Sequence, residues 1–347
     1  MGKGRFIVNP FPELHVTPHD QRQLQDLANN LIMSNLDKYN KFVSSDKGKV
    51  DPNRWKSIKE REQLKGKVDD LVHGVMSEDL ERMRIKASYV DDDPFQSLIV
   101  KWMELDIPFA SMNLVKNRDY VYLEGTGFVT SQKGDRLGYH LLHSVSFPQT
   151  HDLPNRIRGN VSIIAFWRQA GANAMEMYAT GIFDPCGDMI RMLVVPGMAS
   201  AFLSSVKYSY CGQMRKLSFM LDKAYTESKQ RGAPNKKKVC VTCSSPITTR
   251  RLGDLAKSNS SCKMCFSHVC YACKVTRKLS FVDSDLMLSK RKVTFCTACI
   301  SSVTSMSARD CARAKMLSQK SAIDYASIQS SSTGSAEYAS EMSYSSS

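Results

Sequence analysis

Eight cysteines between positions 240 and 299 are the residues of this chain whose type and spacing could do chemistry. They form four C-x-x-C pairs: Cys240/Cys243, Cys262/Cys265, Cys270/Cys273 and Cys296/Cys299. A C-x-x-C turn points two sulfurs at one place, and Zn²⁺ takes four such ligands in a tetrahedron. Four pairs therefore predict two closed four-cysteine sites holding two structural Zn²⁺ ions, with no open coordination position for catalysis. A segment this short and polar cannot bury a core of its own, and the metal stands in for one. Disulfides are the rival reading, with an iron–sulfur cluster the other alternative. The sequence opens with no signal-peptide pattern, and C-x-x-C pairs chelate metal in reducing compartments, so zinc is expected.

Spacing also sets the pairing. Cys262 to Cys273 reads C-x2-C-x4-C-x2-C, and two pairs only four residues apart do not easily fold back onto one metal. The expectation is a cross-brace, first pair with third and second with fourth. Over roughly residues 236–303 this pattern resembles the FYVE finger, a family that docks on endosomal membranes by holding phosphatidylinositol 3-phosphate. The resemblance implies a phosphoinositide partner and a peripheral place on endosomal or other cytosol-facing membranes. The family's Trp-x-x-Asp before the first cysteine is here Pro234-Asn235-Lys236-Lys237-Lys238-Val239, and its basic stretch before the third cysteine is Ser258-Asn259-Ser260-Ser261. Its Arg-Val before the seventh cysteine is Thr294-Phe295. RING and PHD fingers share the cross-brace but use a histidine ligand. His268 is the candidate for that role, and eight cysteines leave it unneeded.

Charge points the same way. The chain carries a net charge of +14, and residues 231–300 hold 14 Lys/Arg against 3 Asp/Glu, a surplus of 11. A module this basic predicts an anionic partner. Arg250, Arg251, Lys257, Lys263, Lys290, Arg291 and Lys292 are the expected membrane contacts, each contributing about 1 kcal/mol near an anionic leaflet. Ile247, in the loop Pro246-Ile247-Thr248-Thr249, is the expected apolar tip. Nucleic acid is the competing anion. The aromatic residues of the module (Phe266, Tyr271, Phe281, Phe295) are few and some must form its core, so base stacking is not expected.

The elements ahead of the cysteines must form the larger part. Residues 1–16, with Phe6, Phe11 and Leu14 among prolines, read as an extended lead-in. Thr17-Pro18-His19-Asp20 is a helix start, with Thr as cap and Pro in the first turn. Apolar residues then recur at helical spacing to Val43, predicting a helix over 18–43. Trp55–Ile58 is a possible short strand. Val68 to Val90 reads as one or two helices, with Ser77 capping the second. Strands are predicted at Phe95–Glu104, Ser111–Thr126, Gly138–Phe147, Val161–Gln169, Ala174–Phe183 and Met189–Val195, punctuated by turns that include Gly125-Thr126-Gly127 and Asp184–Gly187. Short links between them predict antiparallel pairing. Pro196-Gly197 opens a long helix to about Lys229.

The fold class is therefore α+β: an antiparallel sheet, a long C-terminal helix, a small cross-braced double-zinc finger and a disordered tail. The element order resembles the START lipid-transfer domain, a helix-grip fold. The residues carrying the likeness are Asn117-Arg118-Asp119-Tyr120-Val121 and Ile182-Phe183-Asp184-Pro185-Cys186-Gly187. It implies a cavity holding a single lipid. Arg118, Glu124, His143 and Arg168 are the polar candidates for its lining, and the methionines near strands and last helix (Met103, Met175 and Met177 among them) the pliable ones. A START-like domain followed by a FYVE-like finger resembles the START–FYVE proteins of oomycetes.

The boundaries read as lead-in 1–16, START-like domain 17–230, basic linker 231–239, finger 240–303 and Ser-rich disordered tail 304–347, with a short helix possible over Met306–Leu317. Residues 301–347 hold 16 serines. No Gly-x-Ser-x-Gly elbow, P-loop, Gly-x-Gly-x-x-Gly before a helix or His-Glu-x-x-His occurs, and no run of 18 apolar residues. The expected function is a non-enzymatic, cytoplasmic, membrane-peripheral lipid-binding protein. The alternative is a zinc-finger adaptor for protein or nucleic acid with no lipid cargo. The two parts are expected to fold independently.

Overall fold

The computed structural model describes residues 10–12, 14–53, 64–76, 85–86, 93–105, 116–188, 195, 203, 205–231, 238–247, 260–282 and 288–317. Trp55–Ile58, the Ser77 cap, nearly all of Met189–Val195 and the Pro196-Gly197 start lie outside these residues.

Helix α1 runs Pro18–Ser44. Its start is fixed by a reciprocal cap: Thr17 Oγ1 accepts from Asp20 N at 3.2 Å, and Asp20 Oδ2 accepts from Thr17 N at 3.0 Å. Ala28, Ile32, Leu36 and Tyr39 form its buried stripe, at the spacing of one helical face. A short helix, α2 (Val68–Val75), is buried on nearly every side. Strand β1 (Ile85–Lys86) pairs with β2 (Ser97–Leu105), so the second helix expected before Val90 gives way to a strand at its end.

Strands β3 (Asn117–Thr130), β4 (Arg136–Ser144), β6 (Asn160–Gly171) and β7 (Ala174–Asp184) continue an antiparallel sheet in the order β1-β2-β3-β4-β6-β7. The short β5 (Arg156–Arg158) pairs parallel with the start of β3. Gly125-Thr126-Gly127, expected as a hairpin turn, lies inside β3 instead. Its glycine has a packing reason: a Cβ on Gly127 would sit 2.8 Å from the Tyr139 hydroxyl oxygen on the neighbouring strand. The turn falls at Ser131–Asp135, where Ser131 N donates to Asp135 O at 2.9 Å.

Strand alternation gives the sheet two faces. One carries Val100, Trp102, Val121, Leu123, Leu137, Tyr139, Leu141, Ile164 and Phe166, packed under α1. Each fully buried Leu or Ile there contributes roughly 1.5–3 kcal/mol. The other face carries Ala165, Trp167 and Met175, which with Phe95 pack against α2.

The long helix α3 (Tyr208–Arg231) follows a 3-10 turn at Ser205–Lys207. It crosses α2 at backbone contact: a Cβ on Gly212 would fall 1.8 Å from Asp70 O, and one on Gly74 2.0 Å from Tyr208 O. Beyond it lie two short hairpins, β8 (Ser260–Ser261) with β9 (His268–Val269) and β10 (Val275–Val282) with β11 (Leu288–Phe295), then α4 (Thr297–Ser305).

The expected separation of the two parts does not hold in the packing. Leu217 of α3 is fully buried in the finger's core beside Cys240, Cys262, Leu279, Phe295 and Val303. A further helix, α5 (308–317), stands where the tail was expected to begin, and its Ala308 and Ala312 join the cluster of α2 and Trp167. The short helix read as possible over Met306–Leu317 is thus present, and only the tail boundary at 304 moves: alanines packed in an apolar cluster order 308–317 despite its serines. Residues 318–347 lie outside the described residues.

Candidate metal centres and a buried charged strip

The eight cysteines converge as two quartets: Cys240, Cys243, Cys270 and Cys273; and Cys262, Cys265, Cys296 and Cys299. Within each quartet the sulfurs all lie within 4.8 Å of one another. The pairing is first with third and second with fourth, as the spacing required. Cys243 and Cys270 sulfurs are 3.7 Å apart, and Cys265 and Cys296 sulfurs 4.0 Å. Tetrahedral metal–sulfur bonds of about 2.3 Å place sulfurs about 3.8 Å apart, whereas a disulfide needs about 2.05 Å. The spacing fits metal ligation.

Local backbone geometry makes the quartets. In the first and third knuckles Ser244 N donates to Cys240 O at 2.8 Å and Lys274 N to Cys270 O at 3.1 Å. Phe266 N donates to Cys262 O at 2.9 Å in the second. Ser244 and Phe266, each just after the second cysteine of its pair, take φ of 59° and 58° to close the turn. Amides also reach sulfur: Cys270 N to Cys240 Sγ and Cys299 N to Cys296 Sγ, both 3.4 Å. Burial would push the Cys240 thiol up, but donors from Cys270 and its own knuckle outweigh that and bring it to about 6. Cys273, hydrogen-bonded to Cys270 and Cys243, is pushed up to about 12. Four thiols this close cannot all ionise unaided, and a divalent cation removes that conflict. His268 sits on β9 outside both quartets, its carbonyl accepting from Val241 N at 2.9 Å.

The basic residues divide. Arg250, Arg251 and Lys257 lie outside the described residues. Lys263, Lys290, Arg291 and Lys292 are exposed. On the β10–β11 hairpin, Lys278 pairs directly with Lys292, and Lys290 with Ser280. Alternation puts Lys278, Lys290 and Lys292 on the face opposite Leu279 and Val293, while Arg291 lies 5.5 Å from the Phe281 ring centre. Ile247, expected as a protruding tip, is half-buried against the finger core, with its N–H donating to Lys238 O at 2.9 Å. The apolar tips that do face solvent are Val241 and Tyr271, at the centres of the first and third knuckles.

The four cavity candidates do not converge. Arg118 and Glu124 lie on the sheet face that α2 covers; His143 and Arg168 lie on the α1 face. Arg118 is fully buried, and its Nε and Nη2 donate to Pro185 O and Cys186 O, both at 3.1 Å. It clamps the Asp184–Gly187 turn to β3. Its neighbour Asp119 faces the other way, accepting from Arg158 Nη2 at 2.8 Å and Trp102 Nε1 at 3.0 Å. His143 Nδ1 is 2.9 Å from Ser162 Oγ, and burial lowers its pKa. Arg168 pairs with Glu176 at 2.6 Å near the surface.

Glu124 is the one candidate at the centre of a buried site. Lys101 forms an ion pair with it, and His140 Nε2 lies 3.1 Å from its other oxygen; Glu124 and His140 are buried and Lys101 is partly buried. Burial pushes the Glu124 carboxyl up, but the His140 hydrogen bond and the charges of His140 and Lys101 outweigh it and hold the pKa at about 2. Beside this strip lies an apolar cluster built from strand residues: Tyr120, Tyr122 and Val161, with Met103, Leu142, Ile163 and Phe183 against them. Tyr120 Oη is buried there without a hydrogen-bond partner among the described residues. Sequence reasoning missed Lys101 and His140. The signal was there: a lone lysine inside Ser-Leu-Ile-Val-Lys-Trp-Met has to find a carboxylate when the sheet face it projects from is covered.

No protein-family model matches the chain, and no curated protein matches it. Among solved structures, human StAR-related lipid transfer protein 5 is similar at 15% identity and TM-score 0.38, over 55% of this chain and 95% of that one. Human STARD10 is similar at 16% identity and TM-score 0.31, over 49% of this chain and 64% of its own. Among the described residues, no helix is long and apolar enough to cross a membrane.

Proposed function

We propose that this chain is a non-enzymatic lipid-binding protein whose START-like sheet holds one lipid and whose zinc-stapled basic finger seats on anionic, phosphoinositide-bearing membrane. The observation that carries the lipid reading is the pairing of two unlike surfaces on one sheet face. A strand-built apolar cluster around Tyr120, Tyr122 and Val161 borders the buried Lys101–Glu124–His140 strip. Apolar acyl chain against the first and a polar head near the second is the arrangement such a face suits. The unpartnered Tyr120 hydroxyl would accept or donate one hydrogen bond to that ligand.

An all-sulfur tetrahedral set favours zinc over harder cations. Both closed quartets supply folding free energy and leave no coordination position for substrate. The membrane reading rests on the hairpin. Like charges directly opposite across a sheet cost stability, and Lys278 facing Lys292 is such a pair. Anionic lipid offsets that cost, at about 1 kcal/mol per lysine. Val241 and Tyr271 are the apolar tips suited to enter the interface, in place of Ile247.

Flotation of the full chain with phosphatidylserine vesicles, with and without phosphatidylinositol 3-phosphate, tests the second half. Binding that falls with salt and with Lys278→Glu/Lys292→Glu supports it. Displacement by low concentrations of nucleic acid would transfer the hairpin to that partner. Delipidation and reloading from vesicles tests the first half: one lipid per chain is expected, and no uptake would leave a zinc-finger adaptor.

A further inference from the structure

Lys216 has no exposed surface at all and sits where three elements meet. Its ammonium on α3 donates to Asp70 of α2 at 2.7 Å and to the carbonyls of Thr304 and Met306 at 3.1 and 3.0 Å. Thr304 belongs to the last turn of α4, and Met306 is its C-cap. Helix α4 in turn begins at the second quartet: Cys296 is its N-cap, with its sulfur accepting from Cys299 N. One buried cation therefore ties the second quartet, through α4, to the helix that covers the sheet.

Two more contacts run across the same junction. Leu217, next to Lys216, is fully buried and belongs to the same apolar cluster as cysteines of both quartets. Past α4, Ala308 and Ala312 pack against α2 and Trp167, and Arg309 Nη2 holds Asp93 at 2.8 Å, two residues before Phe95. Arg215 Nη1 donates to His73 O at 2.7 Å, adding a second bond between α3 and α2. A polar hollow of about 300 Å³, lined by Lys67, Asp70, Gln213, Ser301 and Thr304, borders the Lys216–Asp70 pair on its Asp70 side.

We infer that the second quartet is a control site for the larger domain: metal bound at Cys262, Cys265, Cys296 and Cys299 keeps α2 seated on the sheet. Without metal, α4 loses the knuckle that starts it. Lys216 then loses two of its three acceptors, and α5 loses the anchor that holds its alanines in the α2 cluster. A buried charge left short of partners is strongly unfavourable, so the junction opens rather than persisting half-made. Metal occupancy and closure of the α2 side are thus linked, and the linkage is reciprocal. This rests on the metal-binding half of the proposed function and goes beyond it, since nothing in a purely structural finger requires α2 to respond.

Hydrogen exchange on the full chain, before and after removal of metal by a strong chelator, tests it. Amides of Val68–Val75 and 308–317 are expected to lose at least tenfold of their protection together with the finger, while Ala28–Tyr39 of α1, on the far face, keep theirs. Re-addition of Zn²⁺ should restore both. A chain that exchanges fast only in 238–305 after chelation overturns the proposal while leaving the metal assignment standing. A chain that purifies without metal and shows the same protection overturns both. The paired variant Lys216→Met/Asp70→Asn, which removes the charges but keeps the bulk, should still bind two metals and should cut the effect of chelation on Val68–Val75 by more than half. An undiminished effect would assign the coupling elsewhere and refute the role of this ion pair.

Discussion

The sheet domain and the finger reach order by opposite means, and they share one helix. In the sheet domain a continuous apolar face under α1 does the work, and buried charges enter beside partners, as with Glu124 between Lys101 and His140. In the finger the buried residues are few, and four of the finger's own most buried positions, Cys240, Cys262, Cys296 and Phe295, are cysteines of the two quartets or the neighbour of one. The first kind of core survives the loss of one contact; the second depends on a ligand. Helix α3 belongs to both, with Gly212 against α2 and Leu217 in the finger. A small ligand-dependent core can therefore transmit its state to a larger self-sufficient one.

The largest break in this comparison is Cys262→Ser. Structural zinc sites supply folding free energy on the order of 10 kcal/mol, so the finger should lose a metal and its fold. The far-ultraviolet signal of the sheet should remain, while the first half of α3 weakens, in contrast to the clean separation expected from the sequence. Metal titration with circular dichroism measures both.

Lys216→Ala comes next. It leaves Asp70 buried without its cation, and such a change costs about 3–5 kcal/mol. Denaturant unfolding should show the midpoint falling for the sheet domain as well as for the finger. A loss confined to one of them would separate the two cores. Leu217→Ala should cost about 2–5 kcal/mol in the same assay, weighted toward the finger.

A smaller effect distinguishes the sheet's charged strip. The Glu124 carboxyl has a folded pKa of about 2, well below its ordinary value of about 4.3. Its contribution is present above pH ~4.3 and is lost as the pH falls toward 2, because protonation then favours the unfolded chain. Wild type should be more stable than Glu124→Gln at pH 7, by about 3 kcal/mol at most, and the difference should shrink between roughly pH 4.5 and 2. Comparing the two proteins removes the acid sensitivity of the thiolates, which is common to both. The smallest effect on stability belongs to Lys278→Glu, where relief of the Lys278–Lys292 repulsion should leave the midpoint unchanged or slightly raised.

Legibility in the sequence followed the same division. The cysteine spacing foretold the cross-brace because metal ligation is a local rule applied twice. Thr17-Pro18-His19-Asp20 marked its helix to within one residue because a cap is also local. The cavity candidates scattered over both faces because alternation along a strand is visible but register is not, and only register shows that Arg168 and Glu124 look opposite ways. The shared helix was hidden for a third reason. Lys216 and Leu217 read as an ordinary surface–core alternation, and nothing local says that Lys216 points at carbonyls 88 and 90 positions later. Likewise, a short helix was legible over Met306–Leu317, but not that two alanines and one arginine pack it against α2 and Asp93.

Thiolate-bound metal, rather than sulfur–sulfur bonding, is the proposed support of the module that α3 shares with the sheet. Native mass spectrometry of the intact chain tests it most directly. The expected mass carries two zinc ions that are released on acidification, leaving all 11 cysteines reduced. A metal-free mass lowered by two hydrogens for each cysteine pair would contradict it.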